Sequence, residues 1–334
     1  MGAQITTVAT VLPSRYVTSA RTEAKIAERS TGFRPPPGLI QRATGIAGRH
    51  VAPADWHPSD LAAAAAGKAL AEAGLTPADI DLLIFASASQ DMVEPATAHI
   101  TADLLGARCP VFDIKNACNS VLNGLQVADA LITAGQHRRV LVCSGETPSR
   151  GTRWQVRDLR QFAASFAGYT LSDNGSALLL EAAPPGHGIL RQAHTADSSA
   201  WRTGTLPGGG SRHPRDPEHS YFELDGARLR QAFDAVDPAT VLDVPAAAGV
   251  TLDEIALIAV HQVTVPYVHA FADQCGIPRH RLDLTVAEHG NCASGSLPLQ
   301  LHRAVMTGRL HRGDLALLVG LAGGISVGSV LLRW

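Results

Sequence analysis

An internal duplication is the feature of this sequence that most restricts how the chain can fold. Pairs of similar segments occur in the same order in both halves of the chain. These pairs are 76–84 with 251–258, 116–118 with 291–293, 135–139 with 308–312, and 140–142 with 315–319. In the second pair, Asn116-Ala-Cys118 corresponds to Asn291-Cys-Ala293, which aligns Cys292 with Ala117. Ordered matches at nearly constant spacing indicate duplication of a whole domain-sized unit.

The duplicated units are the two halves of the chain. We place the division in the turn-rich segment 182–186, so that residues 1–182 form one half and residues 183–334 the other. Within each half, strand-like and helix-like segments alternate, which is typical of an α/β layered fold with a central sheet. Two such halves bury apolar surface by packing face to face, so residues of each half can meet at the seam.

Hydrophobic periodicity and turn residues predict the individual elements. Predicted strands cover 80–86, 111–114, 140–144, 177–180, 255–260 and 315–319, and predicted helices cover 97–105 and 120–133.

Composition and charge limit the classes of function. The 334 residues are 46% hydrophobic and 17% charged, as expected of a well-buried globular protein. A formal net charge of −2 gives no reason to expect binding to nucleic acid or to an anionic membrane. The apolar runs are far shorter than the roughly 20 residues of a membrane span, and no signal peptide is visible.

The cysteines indicate a compartment. There are five, and no two have C-x-x-C spacing, which argues against a disulfide framework or a zinc site. We therefore expect no bound metal and a location in the reducing cytoplasm.

Cys118 is the strongest candidate for a catalytic residue. It follows the predicted strand 111–114 and a short turn, and it lies where the helix 120–133 begins. Free backbone N–H groups and the positive end of the helix dipole favour a thiolate there, which would lower the thiol pKa and promote nucleophilic attack. The alternative is a small buried apolar residue, the usual role of a free cysteine.

Two polar residues of the second half occupy positions suited to catalysis. His261 ends the uncharged strand 255–260, and the carboxyl ends of strands in α/β sheets face the ligand crevice. Asn291 lies in a turn of small residues before a helix, where it could equally serve as a helix N-cap.

Two glycine-rich segments allow close approach of the backbone. Gly323 and Gly324 separate two apolar strands, and a backbone N–H there could form an oxyanion hole together with the N–H of Cys118. A simple bend between hairpin strands explains the same pattern. The segment 204–217 is rich in Gly, Pro and Arg, but it lacks the context of a nucleotide-binding P-loop, so we expect a surface loop.

Together these motifs resemble the β-ketoacyl-ACP synthase III family of the thiolase superfamily. The resemblance covers essentially the whole chain. The motifs that carry it are Phe112-Asp-Ile-Lys-Asn-Ala-Cys118, His261-Gln262, His289-Gly-Asn291, Asp173-Asn-Gly175 before a strand, and the glycine-rich turn near the C-terminus. It implies an α/β, thiolase-like duplicated fold, a five-layer αβαβα sandwich, usually assembled as a homodimer.

The resemblance also implies roles for the site residues. Cys118 would accept the acyl group, His261 and Asn291 would stabilise the enolate oxygen, and the amides of Cys118 and Gly323 would hold the tetrahedral oxyanion. The reaction would be a Claisen condensation of the acyl-enzyme with a malonyl or acyl thioester, in fatty acid or polyketide biosynthesis. The substrates would be thioesters of CoA or of acyl carrier protein phosphopantetheine, with no bound cofactor.

The sequence departs from the family pattern near the site. The family's His-Gln-Ala-Asn is His261-Gln-Val-Thr264 here, and the Trp that commonly stacks on the CoA adenine aligns near Leu39. These differences leave delivery by CoA or by carrier protein open and give the carrier protein more weight.

One segment resembles the long-chain acyl-CoA condensing enzymes of olefin biosynthesis. In that group an acidic residue reaches across the dimer, and Glu94 in the segment Asp91–Thr97 has this position. Met92 and Glu94 of this segment are candidates for the substrate pocket or for residues contributed across a dimer. Leu321, near the C-terminal glycine-rich turn, is a further candidate. Phe162, Phe166 and Tyr169 could shape an acyl pocket or belong to the core.

Two other functions compete with condensation. The same acyl-enzyme could transfer its acyl group to an alcohol or amine, as some secondary-metabolite members of the family do. A non-catalytic partner subunit is the third hypothesis, and the intact set of Cys118, His261 and Asn291 argues against it.

Overall fold

The computed structural model describes residues 2–334, which form two large mixed sheets with helices between and around them. The strands are β1 (Ala3–Val11), β2 (Tyr16–Thr18), β3 (Gly48–His50), β4 (Leu82–Ala86), β5 (Val111–Ile114), β6 (Arg139–Glu146), β7 (Asn174–Ala182), β8 (Gly188–Ala196), β9 (Gly204–Thr205), β10 (Glu223–Leu224), β11 (Ile255–Val260), β12 (Leu315–Ala322) and β13 (Ser326–Arg333). The helices are α1 (Ser19–Arg29), α2 (Leu39–Thr44), α3 (Pro58–Ala73), α4 (Thr97–Leu105), α5 (Ser120–Thr133), α6 (Leu159–Ser165), α7 (Gly226–Asp234), α8 (Ala239–Ala246), α9 (Val265–Gln274), α10 (Val286–His289) and α11 (Ser296–Met306).

The two large sheets repeat one strand order. The first sheet has the order β1-β7-β6-β4-β5 and the second has β8-β13-β12-β11. In each sheet the first three strands pair antiparallel with one another. The third strand then pairs parallel with the fourth, as β6 with β4 and as β12 with β11. Within residues 2–334 the second sheet lacks only a counterpart of the edge strand β5. The predicted division after residue 182 falls at the end of β7 and stays a prediction.

Three hydrophobic clusters define five layers. The central cluster joins both sheets to α5 and α11, which lie between them. A second cluster packs the other face of the first sheet on α3 and α4, and a third packs the other face of the second sheet on α8 and α9. The predicted α/β fold and five-layer αβαβα sandwich are therefore confirmed.

Strand β4 packs against helices on both of its faces. Leu82, Ile84 and Ala86 belong to the central cluster, whereas Leu83 and Phe85 face α3 and α4. A strand buried on both faces has no polar side, so it is a continuous apolar run. Burial of each large apolar side chain contributes roughly 1.5–3 kcal/mol to the free energy of unfolding.

The predicted elements agree closely with the observed ones. Helices 97–105 and 120–133 and strands 111–114 and 255–260 have the predicted bounds. The remaining predicted strands are observed at 82–86, 139–146, 174–182 and 315–322. No helix within residues 2–334 is both long and apolar enough to cross a membrane.

The duplicated segments also share local structure. Thr76 and Thr251 each begin a 3-10 turn with a capping box. In both turns the threonine hydroxyl and backbone N–H donate at 2.8 Å to the carboxylate three residues later, Asp79 or Glu254. The similarity of these two segments in sequence therefore reflects the same hydrogen bonds.

In the turn that contains Cys118, the structural correspondence of the two halves differs by one residue from the sequence alignment. Ala117 and Ala293 both have left-handed backbones, with φ of 46° and 49°, and each lies three residues before its helix, α5 or α11. Ala293 is therefore the counterpart of Ala117, and Ser294 is the counterpart of Cys118. The alignment of Cys292 with Ala117 was wrong because it matched residue types, whereas the turn conformation determines the correspondence.

Helix α3 packs so closely on the first sheet that it requires glycine at Gly145. A Cβ atom there would lie 1.7 Å from the carbonyl oxygen of Pro58. Gly145→Ala should therefore lower the free energy of unfolding by about 3 kcal/mol, because α3 must shift. Chemical denaturation measures this. Gly67→Ala is the control, since the nearest atom to a Cβ there is 3.9 Å away and alanine favours a helix by up to about 1 kcal/mol. If Gly145→Ala were as stable as the wild type, the close packing of α3 on the sheet at this position would be contradicted.

Candidate active site

Cys118 lies in the turn of residues 115–119 that connects the edge strand β5 to the central helix α5; we call it the Cys118 turn. Ser120 Oγ accepts a hydrogen bond from Asn116 N at 2.9 Å and donates one to Ala117 O at 2.7 Å. A left-handed conformation costs a non-glycine residue such as Ala117 roughly 1–2 kcal/mol, and these bonds help to hold it. Cys118 is half-buried and has a free thiol.

Two asparagines join the Cys118 turn to the second half of the chain. Asn119 Nδ2 donates to the carbonyl and the hydroxyl oxygens of Ser326, each at 3.0 Å, and Asn116 Nδ2 donates to the same hydroxyl at 3.2 Å. On β12, a Cβ atom at Gly320 would lie 2.1 Å from Asn119 Oδ1, so glycine makes room for this contact. The Cys118 turn is therefore held against the β12–β13 hairpin.

His261 continues the parallel pairing of β11 with β12. Its backbone N–H donates to Val319 O at 2.8 Å. The side chain is 1% exposed, and its Nδ1 has no hydrogen-bond partner within residues 2–334. Burial lowers the pKa of His261 to about 4, so the imidazole is neutral at pH 7.

Gln262 anchors the end of β11. Its Nε2 donates to Asp283 O at 2.6 Å and to Gln300 Oε1 at 3.0 Å, and its Oε1 accepts from Val286 N at 2.9 Å. Gln300 of α11 in turn donates to Val260 O at 2.9 Å. These buried hydrogen bonds fix the backbone that presents His261.

Thr264, where the family pattern has asparagine, caps helix α9. Its Oγ1 accepts a hydrogen bond from Tyr267 N at 3.2 Å. Threonine is a good N-cap residue, so the departure from the pattern has a local structural reason.

Asn291 is held by the first half of the chain. Its backbone N–H donates to Thr170 O at 2.9 Å, and its carbonyl accepts from Ser172 N at 2.8 Å. Its Oδ1 accepts from Ala293 N at 3.0 Å. Because the oxygen is used within the turn, the amide N–H groups are the remaining donors of the side chain.

Glu146 is a buried carboxylate at the seam that the sequence analysis did not single out. It is the last residue of β6 and is fully buried. Its oxygens accept from the N–H of Ser89 at 3.1 Å, from the hydroxyl of Ser89 at 2.8 Å, and from the hydroxyl of Ser294. After burial, which is the main cause, its charge also raises the pKa of Cys118 and of Cys292. The turns of both halves therefore face one carboxylate, and its position at a strand end was the available signal.

Cys118 is a protonated thiol in the resting protein. Burial, followed by the charge of Glu146, raises its pKa to about 12. The predicted lowering of this pKa was wrong for this state, because desolvation and a nearby carboxylate outweigh the dipole of a helix that begins two residues later. Cys118 therefore has to lose this proton before its sulfur can act as a nucleophile.

A cavity of about 620 Å³ lies beside these loops. Its lining is mostly apolar and includes Thr44, Phe166, Thr170, Leu229, Phe233, Val263, Thr264 and Phe271. Cys118, His261 and Asn291 are not among its lining residues. The lining approaches them through Val263 and Thr264, which follow His261 in the chain, and through Thr170, whose carbonyl accepts a hydrogen bond from Asn291 N. Apolar lining with a few polar groups suits an acyl or pantetheine chain.

The aromatic candidates divide between this cavity and the core. Phe166 lines the cavity, whereas Phe162 and Tyr169 are packed in a cluster with Ile26 and Ile40.

The remaining candidates lie away from the cavity lining. Met92 is 50% exposed and Glu94 is exposed, both between β4 and α4, and Leu321 is packed in the core with the outer helices. None of the three lines the cavity. A Cβ atom at Gly323 would meet no atom within 4 Å, so the β12–β13 turn leaves open space at this position.

Solved structures share this fold over the full chain. One is OleA of Xanthomonas campestris, solved with bound lauric acid and lauroyl-CoA, which is 24% identical, with a TM-score of 0.88 over 100% of this chain and 99% of that one. Another is a 3-oxoacyl-(acyl-carrier-protein) synthase III, which is 22% identical, with a TM-score of 0.89 over 100% of both chains. At these identities the likeness establishes the fold.

Sequence comparisons establish the family. Residues 112–198 match the model of 3-oxoacyl-[acyl-carrier-protein (ACP)] synthase III, and residues 246–334 match its C-terminal model. The β-ketoacyl-[acyl-carrier-protein] synthase III of Chelativorans sp. is 33% identical over 98% of both proteins, and that of Desulfitobacterium hafniense is 30% identical over 88% of both. The chain therefore belongs to the β-ketoacyl-[acyl-carrier-protein] synthase III family of acyl-transferring condensing enzymes.

Proposed function

We propose that this enzyme forms a carbon–carbon bond by Claisen condensation on an acyl group carried by Cys118, in fatty acid or polyketide biosynthesis. The acyl group passes from a CoA or carrier-protein thioester to Sγ, and the thiol of the carrier is released. A second thioester forms an enolate by losing CO₂, or by transferring an α-proton to a base, for which Glu94 of the partner subunit is our candidate. The enolate carbon attacks the acyl carbonyl, and the thiolate of Cys118 leaves.

The observation that carries this proposal is the burial of His261, which lowers the pKa of the imidazole and keeps it neutral at pH 7. A neutral imidazole donates a hydrogen bond to an enolate oxygen, and the amide of Asn291 supplies a second donor. With a pKa of about 4, His261 is a poor general base near pH 7. Acyl transfer to an alcohol or amine needs such a base, so the site favours condensation.

We assign the oxyanion hole to the backbone amides of Cys118 and Gly323. The contacts between Ser326 and the Cys118 turn keep the β12–β13 turn near the thiol, and Gly323 borders open space. The apolar cavity then receives the thioester chain.

Intact-protein mass spectrometry tests the acylation step. The enzyme should gain one acyl mass from a matching acyl-CoA or acyl-carrier thioester, and the panel also separates the two carriers. A protein that gains no acyl mass from any thioester would instead be a non-catalytic partner.

Product analysis tests the second step. A β-keto product with CO₂ release indicates decarboxylative condensation of a malonyl thioester, and a β-keto product without CO₂ indicates condensation of two acyl thioesters. An acyl ester or amide, with no β-keto product, would contradict condensation.

We propose that the enzyme is a homodimer that associates through the edge strand β5. Phe112 on this strand is 37% exposed, and Met92 and Val93 on the neighbouring segment are 50% and 70% exposed. An unpaired strand edge with exposed apolar side chains favours pairing with a second copy. In this dimer, Met92 and Glu94 are our candidates for residues contributed to the partner's site. Sedimentation equilibrium should show a dimer that Phe112→Lys weakens; a monomeric wild type would contradict it.

The cysteines support a cytoplasmic location, which is also part of the proposal. All five are free in the structure, as expected in a reducing compartment.

The pKa of His261 predicts how condensation depends on pH. Because burial lowers this pKa to about 4, the imidazole changes its protonation state, and with it the charge beside the enolate, only near that pH. Single-turnover condensation of preformed acyl-enzyme should therefore show no loss with a midpoint near 6.5, the ordinary value for histidine. Such a loss in the wild type, absent from a variant lacking His261, would contradict a neutral buried imidazole.

A further inference from the structure

The loop between β9 and β10 brings together three side chains that the sequence analysis did not connect. His213, Asp216 and His219 follow one another at three-residue spacing. One imidazole nitrogen of each histidine and one carboxylate oxygen of Asp216 all lie within 4.8 Å of one another. The two imidazole rings have centroids 3.5 Å apart.

Main-chain hydrogen bonds hold this arrangement. Gly208 N donates to His219 O at 2.7 Å, and Gly209 N donates to His213 O at 3.0 Å. Asp216 Oδ1 accepts from Glu218 N at 3.0 Å, which caps the 3-10 turn Pro217–His219 and restricts the carboxylate. The backbone of the glycine-rich loop therefore positions the cluster.

The distance between Asp216 and His219 suits a shared ion better than a direct hydrogen bond. The two imidazole rings, whose centroids are 3.5 Å apart, must separate to roughly 5 Å for both to bind one tetrahedral ion. Asp216 Oδ2 lies 3.6 Å from His219 Nε2, which is too long for a hydrogen bond. Nitrogen and oxygen ligands lie at about 2.0–2.2 Å from Zn²⁺, so two ligands of one tetrahedral ion are roughly 3–4 Å apart.

Two charged neighbours of the cluster, Arg212 and Glu218, have other partners. The guanidinium of Arg212 stacks over Trp201 at 5.2 Å. The carboxylate of Glu218 pairs with Arg153 at 3.1 Å. Asp216 therefore supplies the negative charge of the cluster itself.

We propose that His213, Asp216 and His219 bind one divalent first-row metal ion, with Zn²⁺ as the preferred ion. Neutral imidazole and carboxylate are ligands that Zn²⁺ accepts, and three protein ligands leave a position for water. The sequence-based expectation of no metal rested on cysteine spacing and did not weigh the histidines.

The site lies on the β9–β10 hairpin, which forms part of the wall of the apolar cavity. Leu224 of β10 lines the cavity, and Phe222 N donates to Gly151 O at 2.9 Å, which ties the hairpin to the first half. A bound ion crosslinks the loop between β9 and β10 and stabilises this wall. The inference does not rest on the proposed condensation.

Metal binding to the full-length, tag-free chain tests the site. After dialysis against EDTA, Zn²⁺ is titrated calorimetrically, and Co²⁺ is added separately to record its visible absorption. We expect one ion per chain, a Co²⁺ spectrum without a thiolate charge-transfer band, and an increase in melting temperature with Zn²⁺.

Variants locate the site. Asp216→Asn and the double variant His213→Ala/His219→Ala should lose more than about tenfold in affinity and lose the increase in melting temperature. His187→Ala, which removes an exposed histidine elsewhere, should bind as the wild type does. The proposal is overturned if the wild type binds no Zn²⁺, if the double variant binds it equally well, or if a thiolate band shows that cysteine holds the ion.

Discussion

Cys118→Ala should abolish acylation and reduce condensation by at least about a thousandfold, because no other side chain of the site replaces the attacking sulfur. The variant mixed with a matching acyl thioester should show no added acyl mass. Product formation under the same conditions measures the loss of condensation.

Cys292→Ala is the matched control for this experiment. Cys292 is a second free cysteine at the seam, fully buried where Cys118 is half-buried, and burial likewise raises its pKa to about 12. It lies in the turn of the second half, where Ser294 is the counterpart of Cys118. The control should therefore acquire the acyl group as the wild type does. Condensation that survives in Cys118→Ala, or acylation that disappears only in Cys292→Ala, would show that Cys118 is not the nucleophile.

His261→Ala should separate the two steps of the reaction. Acylation of Cys118 should continue, because the amides assigned to the oxyanion hole remain. Condensation should fall by about 10²–10³-fold, as is typical when a buried donor to a developing oxyanion is removed. Rapid-quench mass spectrometry should then show accumulation of acyl-enzyme in the presence of the second thioester.

His302→Ala is the control for loss of a half-buried histidine whose pKa is also lowered. His302 lies on the central helix α11, and burial together with Lys68 lowers its pKa to about 4, so its titration resembles that of His261. Its ring contacts Thr10 Oγ1 at 2.7 Å. The control should lose stability without accumulating acyl-enzyme. An equal loss of acylation and condensation in His261→Ala would argue that His261 acts on the nucleophile and not on the enolate.

Much of the fold could be predicted from the sequence because its signals are local. The continuous apolar run of β4 and the capping boxes at Thr76 and Thr251 depend only on neighbouring residues. Their repetition in order predicted two similar halves, and the strand order of the two sheets repeats in the same way. Cys118 and His261 were identifiable because each lies where a predicted strand or turn ends.

The protonation states of Cys118 and His261 could not be predicted from the sequence. Whether a thiol at a helix start is a thiolate depends on what surrounds it, and the sequence indicated only the helix dipole and the free backbone N–H groups. Glu146 and the desolvation of the seam come from segments far from Cys118 in the chain, and together they reverse the expected direction of its pKa shift. The same burial makes His261 a neutral donor.

The sequence by itself thus determined the duplicated α/β architecture and the identity of the main candidate residues. Hydrophobic periodicity, helix caps and short motifs depend on residues that are close together in the chain. Only the tertiary structure decided the structural counterpart of Cys118, the carboxylate that faces both turns, and the grouping of His213, Asp216 and His219. The physical reason is that electrostatics and coordination depend on distances in space, and the backbone conformation of each turn sets those distances.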